Sequence, residues 1–183
     1  MKSFYRLSIL LIVLLSLSSC TAKLAEYQAT SPTFDIKTYF TGNIVAWGMV
    51  QDYTNNVTRR FCVEIDGQWQ GNKGLLKEVF YFVDGEVSYR NWQLTKLAQG
   101  KYQGSAEDVV GQAYGQQVGF AFQWQYNLLV PIDGDQIQFS LDDWMYQIDE
   151  YRVFNRTEMK KFGVTLAEIT LFFDKQLPNK KCQ

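Results

Sequence analysis

From Val118 to Val130 apolar side chains fall on every second residue. Val118, Phe120, Phe122, Trp124, Tyr126, Leu128 and Val130 alternate with Gly119, Ala121, Gln123, Gln125, Asn127 and Leu129. A period of two sends alternate residues to opposite sides of an extended chain, so the stretch predicts a strand with one greasy face. At about 3.3 Å per residue it would run roughly 40 Å, longer than most strands. That face can look at a protein core, at lipid or at a bound ligand, and most of the function question reduces to choosing among the three.

Similar short runs fill the chain from residue 43 onward. Asn43–Tyr53, Val57–Asp66, Leu75–Val83 and Val87–Leu97 give way in turn to Thr-Asn-Asn, Asp-Gly-Gln, Asp-Gly-Glu and Ala-Gln-Gly-Lys. Gly, Asn and the Asp-Gly pair supply the tight or left-handed backbone that hairpins need. Glu107–Tyr114 predicts one short helical turn, which Glu107 and Asp108 would cap. After the opening stretch, Pro131 is expected to stop the strand and Asp133-Gly134 to turn it; Ile137–Asp149, Glu150–Phe162 and Val164–Gln176 complete the series. Many antiparallel strands at regular spacing, without a convincing amphipathic helix, predict an all-β fold. The favoured form is an up-and-down, lipocalin-like barrel of about 8–10 strands, with a β-sandwich as the alternative. "FTGNIVAWG" is similar to the Gly-x-Trp signal on the first strand of lipocalins, although Trp47 stands further from Gly42 than that signal has it.

A barrel spanning a membrane would also alternate, apolar outside and polar inside. Leu75–Val83 argues against it. Glu78 shares a face with Leu76, Phe80 and Phe82, while Lys77 shares the other with Val79 and Tyr81, so neither face suits lipid. The Val118–Val130 face is therefore expected to look inward.

The N-terminus gives a location. "MKSFYRLSILLIVLLSLSSC" has basic Lys2 and Arg6, an apolar stretch from Ile9 to Leu15 and small residues before Cys20. This is the layout of an export signal, with an apolar core short of the ~20 residues that span a bilayer. "LSSC" at Leu17–Cys20 resembles the bacterial lipobox, in which the cysteine is acylated and becomes the new N-terminus. Thr21, where an Asp would mark retention at the inner membrane, favours the outer membrane facing the periplasm. The expected organisation is a lipoprotein signal peptide (1–19), a lipidated N-terminus with a flexible tether reaching up to about 45 Å (20–34), and one β-barrel domain (35–183).

Composition then excludes chemistry. There is no histidine, so no Ser-His-Asp triad, Cys-His pair or imidazole metal site can form. With Cys20 acylated, only Cys62 and Cys182 remain, too few for a thiolate metal site; they can pair in an oxidising compartment or stay as two thiols. Once Lys2 and Arg6 are removed, 16 basic residues face 19 acidic ones, which is no nucleic-acid surface. Asp142, Asp143, Asp149 and Glu150 form the richest acidic group. Adjacent strand residues point apart, so Asp142 and Asp143 cannot share one site unless a bulge intervenes, and the group reads as solvated turn carboxylates with one structural hydrogen-bonder.

"AWG" at 46–48, "RRF" at 59–61, "DGE" at 84–86 with Arg90 and Trp92, "YQGSAEDVVGQAYG" at 102–115, "DGDQIQFSLDDWMY" at 133–146 and "NRTEMKKFGVTLAEITLFF" at 155–173 together resemble a family of exported bacterial lipoproteins known as domain of unknown function 3833. The resemblance implies class and location and leaves function open. In lipocalin-like barrels the first-strand Trp packs under an Arg from late in the chain, which makes Trp47 and Arg156 a candidate structural pair. The expected function is a binding or carrier module for a small apolar ligand such as a lipid or fatty acid, with Phe120, Phe122, Trp124 and Tyr126 lining its site. The alternative is a structural or interaction lipoprotein of the envelope with a filled barrel. No catalytic residue, metal or cofactor is expected; the expected partners are the membrane, through acyl chains on Cys20, and a lipid or fatty acid ligand, with no nucleic acid and any protein partner left open. Volume separates the two readings: aromatic residues make up 16% of the chain, and if they fill the barrel no ligand fits.

Overall fold

The structure, a computed structural model, describes residues 22–177 and 179–182. Ten antiparallel strands run up and down in chain order: β1 Gly42–Asp52, β2 Val57–Gln70, β3 Lys73–Phe82, β4 Val87–Lys96, β5 Lys101–Ser105, β6 Val109–Val118, β7 Ala121–Ile132, β8 Asp135–Gln147, β9 Arg152–Lys161 and β10 Val164–Asp174. Each pairs with its neighbours in sequence, and β1 closes on β10 from Val45 opposite Asp174 to Asp52 opposite Ala167. The sheet is a closed barrel without a free edge, not a sandwich.

Alternation decides which side chains fill it. Ile44 and Ala46 on β1, Phe61, Val63 and Ile65 on β2, Trp92 and Leu94 on β4, and Phe122 and Trp124 on β7 all belong to one buried cluster. The intervening residues face outward.

Several sequence expectations change for physical reasons. The turn expected at Asp66-Gly67 is absent: β2 continues to Gln70. Gly67 serves close approach instead, since a Cβ there would lie 1.8 Å from the Phe40 carbonyl oxygen. Glu107–Tyr114 is not helical; β6 begins at Val109 and bulges between Val110 and Tyr114, around Gly111. Pro131 does not stop β7, because it lies next to the hairpin, opposite Gln136. The opening stretch is two elements: Val118 ends β6, and Gly119, with φ of 55°, turns the chain through Phe120 into β7.

Residues 24–41 plug one end of the barrel. Helix α1 (Ile36–Tyr39) starts at Asp35, whose side chain accepts from the Thr38 amide at 2.8 Å. Phe34 is fully buried and Ile36, Tyr39 and Phe40 are each 3% exposed, which seals this end. Polar contacts hold the plug: the Phe34 amide donates to the Gly119 carbonyl at 2.8 Å, Trp69 Nε1 to the Phe40 carbonyl at 3.2 Å, the Tyr39 hydroxyl to the Tyr151 carbonyl at 2.8 Å, and Lys96 pairs with Asp35. The stretch expected to be a flexible tether is packed from Leu24 onward. Leu24–Tyr27 forms a 3-10 turn, Tyr27 packs on Phe120 with ring centroids 5.2 Å apart, and the Phe120 amide donates to Thr30 Oγ1 at 3.1 Å.

The C-terminal tail returns along the outer wall. Cys62, facing outward on β2, is bonded to Cys182 with Cα atoms 5.5 Å apart. Glu64 accepts from the Cys182 amide at 3.0 Å and from Lys181 Nζ at 2.9 Å. Of the two states left open for these cysteines, the paired one is present.

Candidate functional site

The plugged half of the barrel is filled with aromatic rings. Phe122 stacks on Trp124 with centroids 5.6 Å apart, and meets Tyr102 and Phe34 edge-on. Trp92 stands edge-on to Trp124 at 5.6 Å and to Tyr126 at 5.3 Å. Beyond these rings the barrel is hollow. A cavity of about 460 Å³ rises from Trp92 and Trp124, between Phe80, Phe82 and Leu128, to Arg59 and Pro131 at the opposite end. The volume falls within the roughly 300–1,000 Å³ of small-molecule sites.

A polar belt crosses this apolar space. Glu78 on β3 stands directly across from Arg90 on β4, so both point inward. Arg90 grips Asp108 with Nε at 3.0 and 2.9 Å from the two carboxylate oxygens and Nη2 at 2.6 Å from one. This pair also mends the wall. β4 pairs with β5 only over Gln93–Lys96, and past that point Glu107 accepts from the Asn91 amide at 2.9 Å while Asp108 holds Arg90. Glu107 and Asp108 thus bridge two strands where they were expected to cap a helix. Asp143 on β8 faces inward and accepts from Asn155 Nδ2, whereas Asp142 faces outward and accepts from Gln123 Nε2 at 2.7 Å. Glu78 and Tyr126 line the cavity, Glu78 opposite Arg90.

Burial pushes the Glu78 carboxyl up to about 7; Asp108 and Asp143 add to the rise and Arg90 opposes it. Burial likewise lifts Asp143 to about 7 against the hydrogen bonds from Asn155 and Thr157. For Arg90, burial disfavours the charge, but Tyr126, Glu78 and Asp108 outweigh it and hold the guanidinium above its ordinary value. In an unfolded chain both carboxyls lose their protons near pH 4. Between about pH 4 and 7 the unfolded chain therefore releases protons that the folded protein keeps, so stability falls as pH rises through that window and levels off above it. Asp35, Asp149 and Glu64, whose pKa values are lowered, act in the opposite sense below this window. The thermal midpoint is thus expected to fall from pH 5 to pH 8, and to fall less in a Glu78→Gln, Asp143→Asn double variant. Parallel curves for the two proteins would contradict this.

A family model matches residues 14–175, from ahead of Cys20 to the end of β10. The chain belongs to the family described as "Protein of unknown function (DUF3833)". No curated protein matches it. In this DUF3833 barrel, Phe122, Trp124 and Tyr126 all line the cavity, the first two as its packed floor. Phe120 does not; it lies in the β6–β7 turn against Tyr27 and Tyr146. Trp47 and Arg156 do not meet. Both face outward, Trp47 between Cys62 and Phe172 in the register, while Arg156 holds Glu168 at 2.8 Å. Cys20 lies outside the described residues. Among the described residues, no cluster of three or more potential metal ligands occurs. The belt residues Glu78, Arg90 and Asp108 were not picked out as site residues from sequence. The available signal was Glu78 itself, a carboxylate within an otherwise apolar face of β3.

Proposed function

We propose that this DUF3833 chain is a periplasmic lipoprotein anchored to the outer membrane, whose barrel binds or carries a small apolar molecule of the lipid class and catalyses no reaction. The observation that carries the reading is the cavity: the aromatic rings crowd the plugged half and leave about 460 Å³ of apolar-walled space unfilled. Each methylene buried there contributes about 0.8 kcal/mol, so roughly ten of them bring affinity toward the micromolar range before ordering costs. The export signal, the lipobox ending at Cys20 and the Cys62–Cys182 bond support the envelope location.

Mass spectrometry of the protein purified from native membranes tests both parts. The N-terminal peptide is expected to begin at acylated Cys20, and an organic extract to yield an apolar molecule in near-stoichiometric amount. An unacylated N-terminus would remove the lipoprotein reading. An empty extract, with no binding of the apolar fluorophore Nile red by the purified barrel, would remove the carrier reading.

A further inference from the structure

The polar belt says which end of a ligand the cavity accepts. Register places it toward the plugged end: Asp143 is opposite Trp124, and Glu78 lies one inward step beyond Leu76. Between belt and mouth the walls are mainly apolar, through Phe80, Phe82, Leu128, Val130 and Met159, with Ser88 opposite Phe80. An amphiphile therefore enters head first, with its tail along these residues. The head then meets three carboxyls, Glu78, Asp108 and Asp143, and a single guanidinium. Arg90 is already engaged by Asp108 through two of its nitrogens. Glu78 lines the cavity, half-buried opposite Arg90, and accepts no side-chain hydrogen bond among the described residues. A carboxyl partly desolvated by apolar walls favours a ligand that brings it a donor.

We propose that the ligand is a cationic amphiphile, an alkyl chain ending in a primary amine, whose ammonium group sits between Glu78, Tyr126 and Asp143, and that carboxylate-headed lipids are excluded. This rests on the reading of the barrel as a binding module and narrows it, setting fatty acids aside. A fatty-acid head would bring a further negative charge against Glu78 and Asp143, where Arg90 is already paired with Asp108. An ammonium donates to carboxylates through strong charge-assisted hydrogen bonds. The groups facing Glu78 are Arg90 from β4, Asp108 from the β5–β6 connection, Tyr126 from β7 and Asp143 from β8; Asp142 adds negative charge through the wall. Arg59, stacked on Phe82 and paired with Asp84 and Glu86, lies at the mouth. Because burial keeps Glu78 and Asp143 protonated to higher pH than usual, amine affinity should rise from pH 5 to pH 8 as they ionise.

The test is displacement of Nile red from the full-length mature protein by dodecylamine, dodecanol and dodecanoic acid, each below its aggregation concentration. Dodecylamine is expected to bind at least about tenfold more tightly than dodecanoic acid at pH 8, the separation one charge-assisted hydrogen bond gives. Its advantage over dodecanol should shrink at pH 5 and in Glu78→Gln. The wild-type comparison stands even if that variant fails to fold. Equal binding of the three, or tighter binding of the acid, would overturn the amine assignment while leaving the binding module intact. Failure of the protein to bind Nile red or any of the three would remove the binding reading itself.

Discussion

Phe122→Ala is expected to lower stability by about 3–5 kcal/mol, the usual cost of deleting a large ring from a packed core. Phe122 is 3% exposed and stacks on Trp124 while meeting Tyr102 and Phe34 edge-on, so its ring joins the barrel wall to the plug. At about 2–4 °C per kcal/mol for a domain of this size, the thermal midpoint should drop by roughly 6–20 °C. The void would open into the existing cavity and admit water instead of collapsing. Tyr126→Phe makes the contrast: it removes only a hydroxyl that faces the cavity, and should leave the midpoint within a few degrees. Equal, small effects for the two variants in a calorimetric scan would show that the plugged half is not the packed core.

Replacing Cys62 and Cys182 together by Ser is expected to cost about 2–5 kcal/mol. The bond spans a sequence separation of 120, and closing so long a loop restricts the unfolded chain strongly. It also keeps the tail in place, where Lys181 and the Cys182 amide meet Glu64. The bond lies on the outer wall, so Nile red binding measured well below the midpoint should not change. Dithiothreitol should lower the wild-type midpoint toward that of the double variant and leave the variant itself unmoved. A variant as stable as the wild type in urea would contradict the assignment.

The barrel was legible because alternation and turn residues are local signals. Val87–Leu97 and Val164–Gln176 name β4 and β10 to within a few residues for that reason. What misled depends on contacts distant in sequence. Asp66-Gly67 looks like a hairpin turn until Phe40 is seated against it. Phe120 shares the parity of Phe122, but Gly119 turns the chain between β6 and β7 and sends it to the outside. Trp47 and Arg156 were paired by analogy, and alternation within β1 and β9 points both outward on separate strands. The cavity itself could not be read from composition, because whether aromatic rings fill a barrel depends on where they cluster. Here Phe122, Trp124, Trp92 and Tyr102 crowd one half and leave the other open.

The packed segment from Leu24 onward fixes an orientation. Three residues separate Cys20 from Leu24, at most about 14 Å of extended chain over four steps. If Cys20 carries the acyl chains proposed above, this short link would hold the plugged end of the barrel near the bilayer, with the mouth roughly 25 Å away for a tilted ten-residue strand. The exposed rings of Tyr53 and Phe162, in the turns around the mouth, would then point away from the anchoring leaflet. On the proposed reading, a cup moored by its base would fill from the aqueous side, or from a donor that comes to its lip.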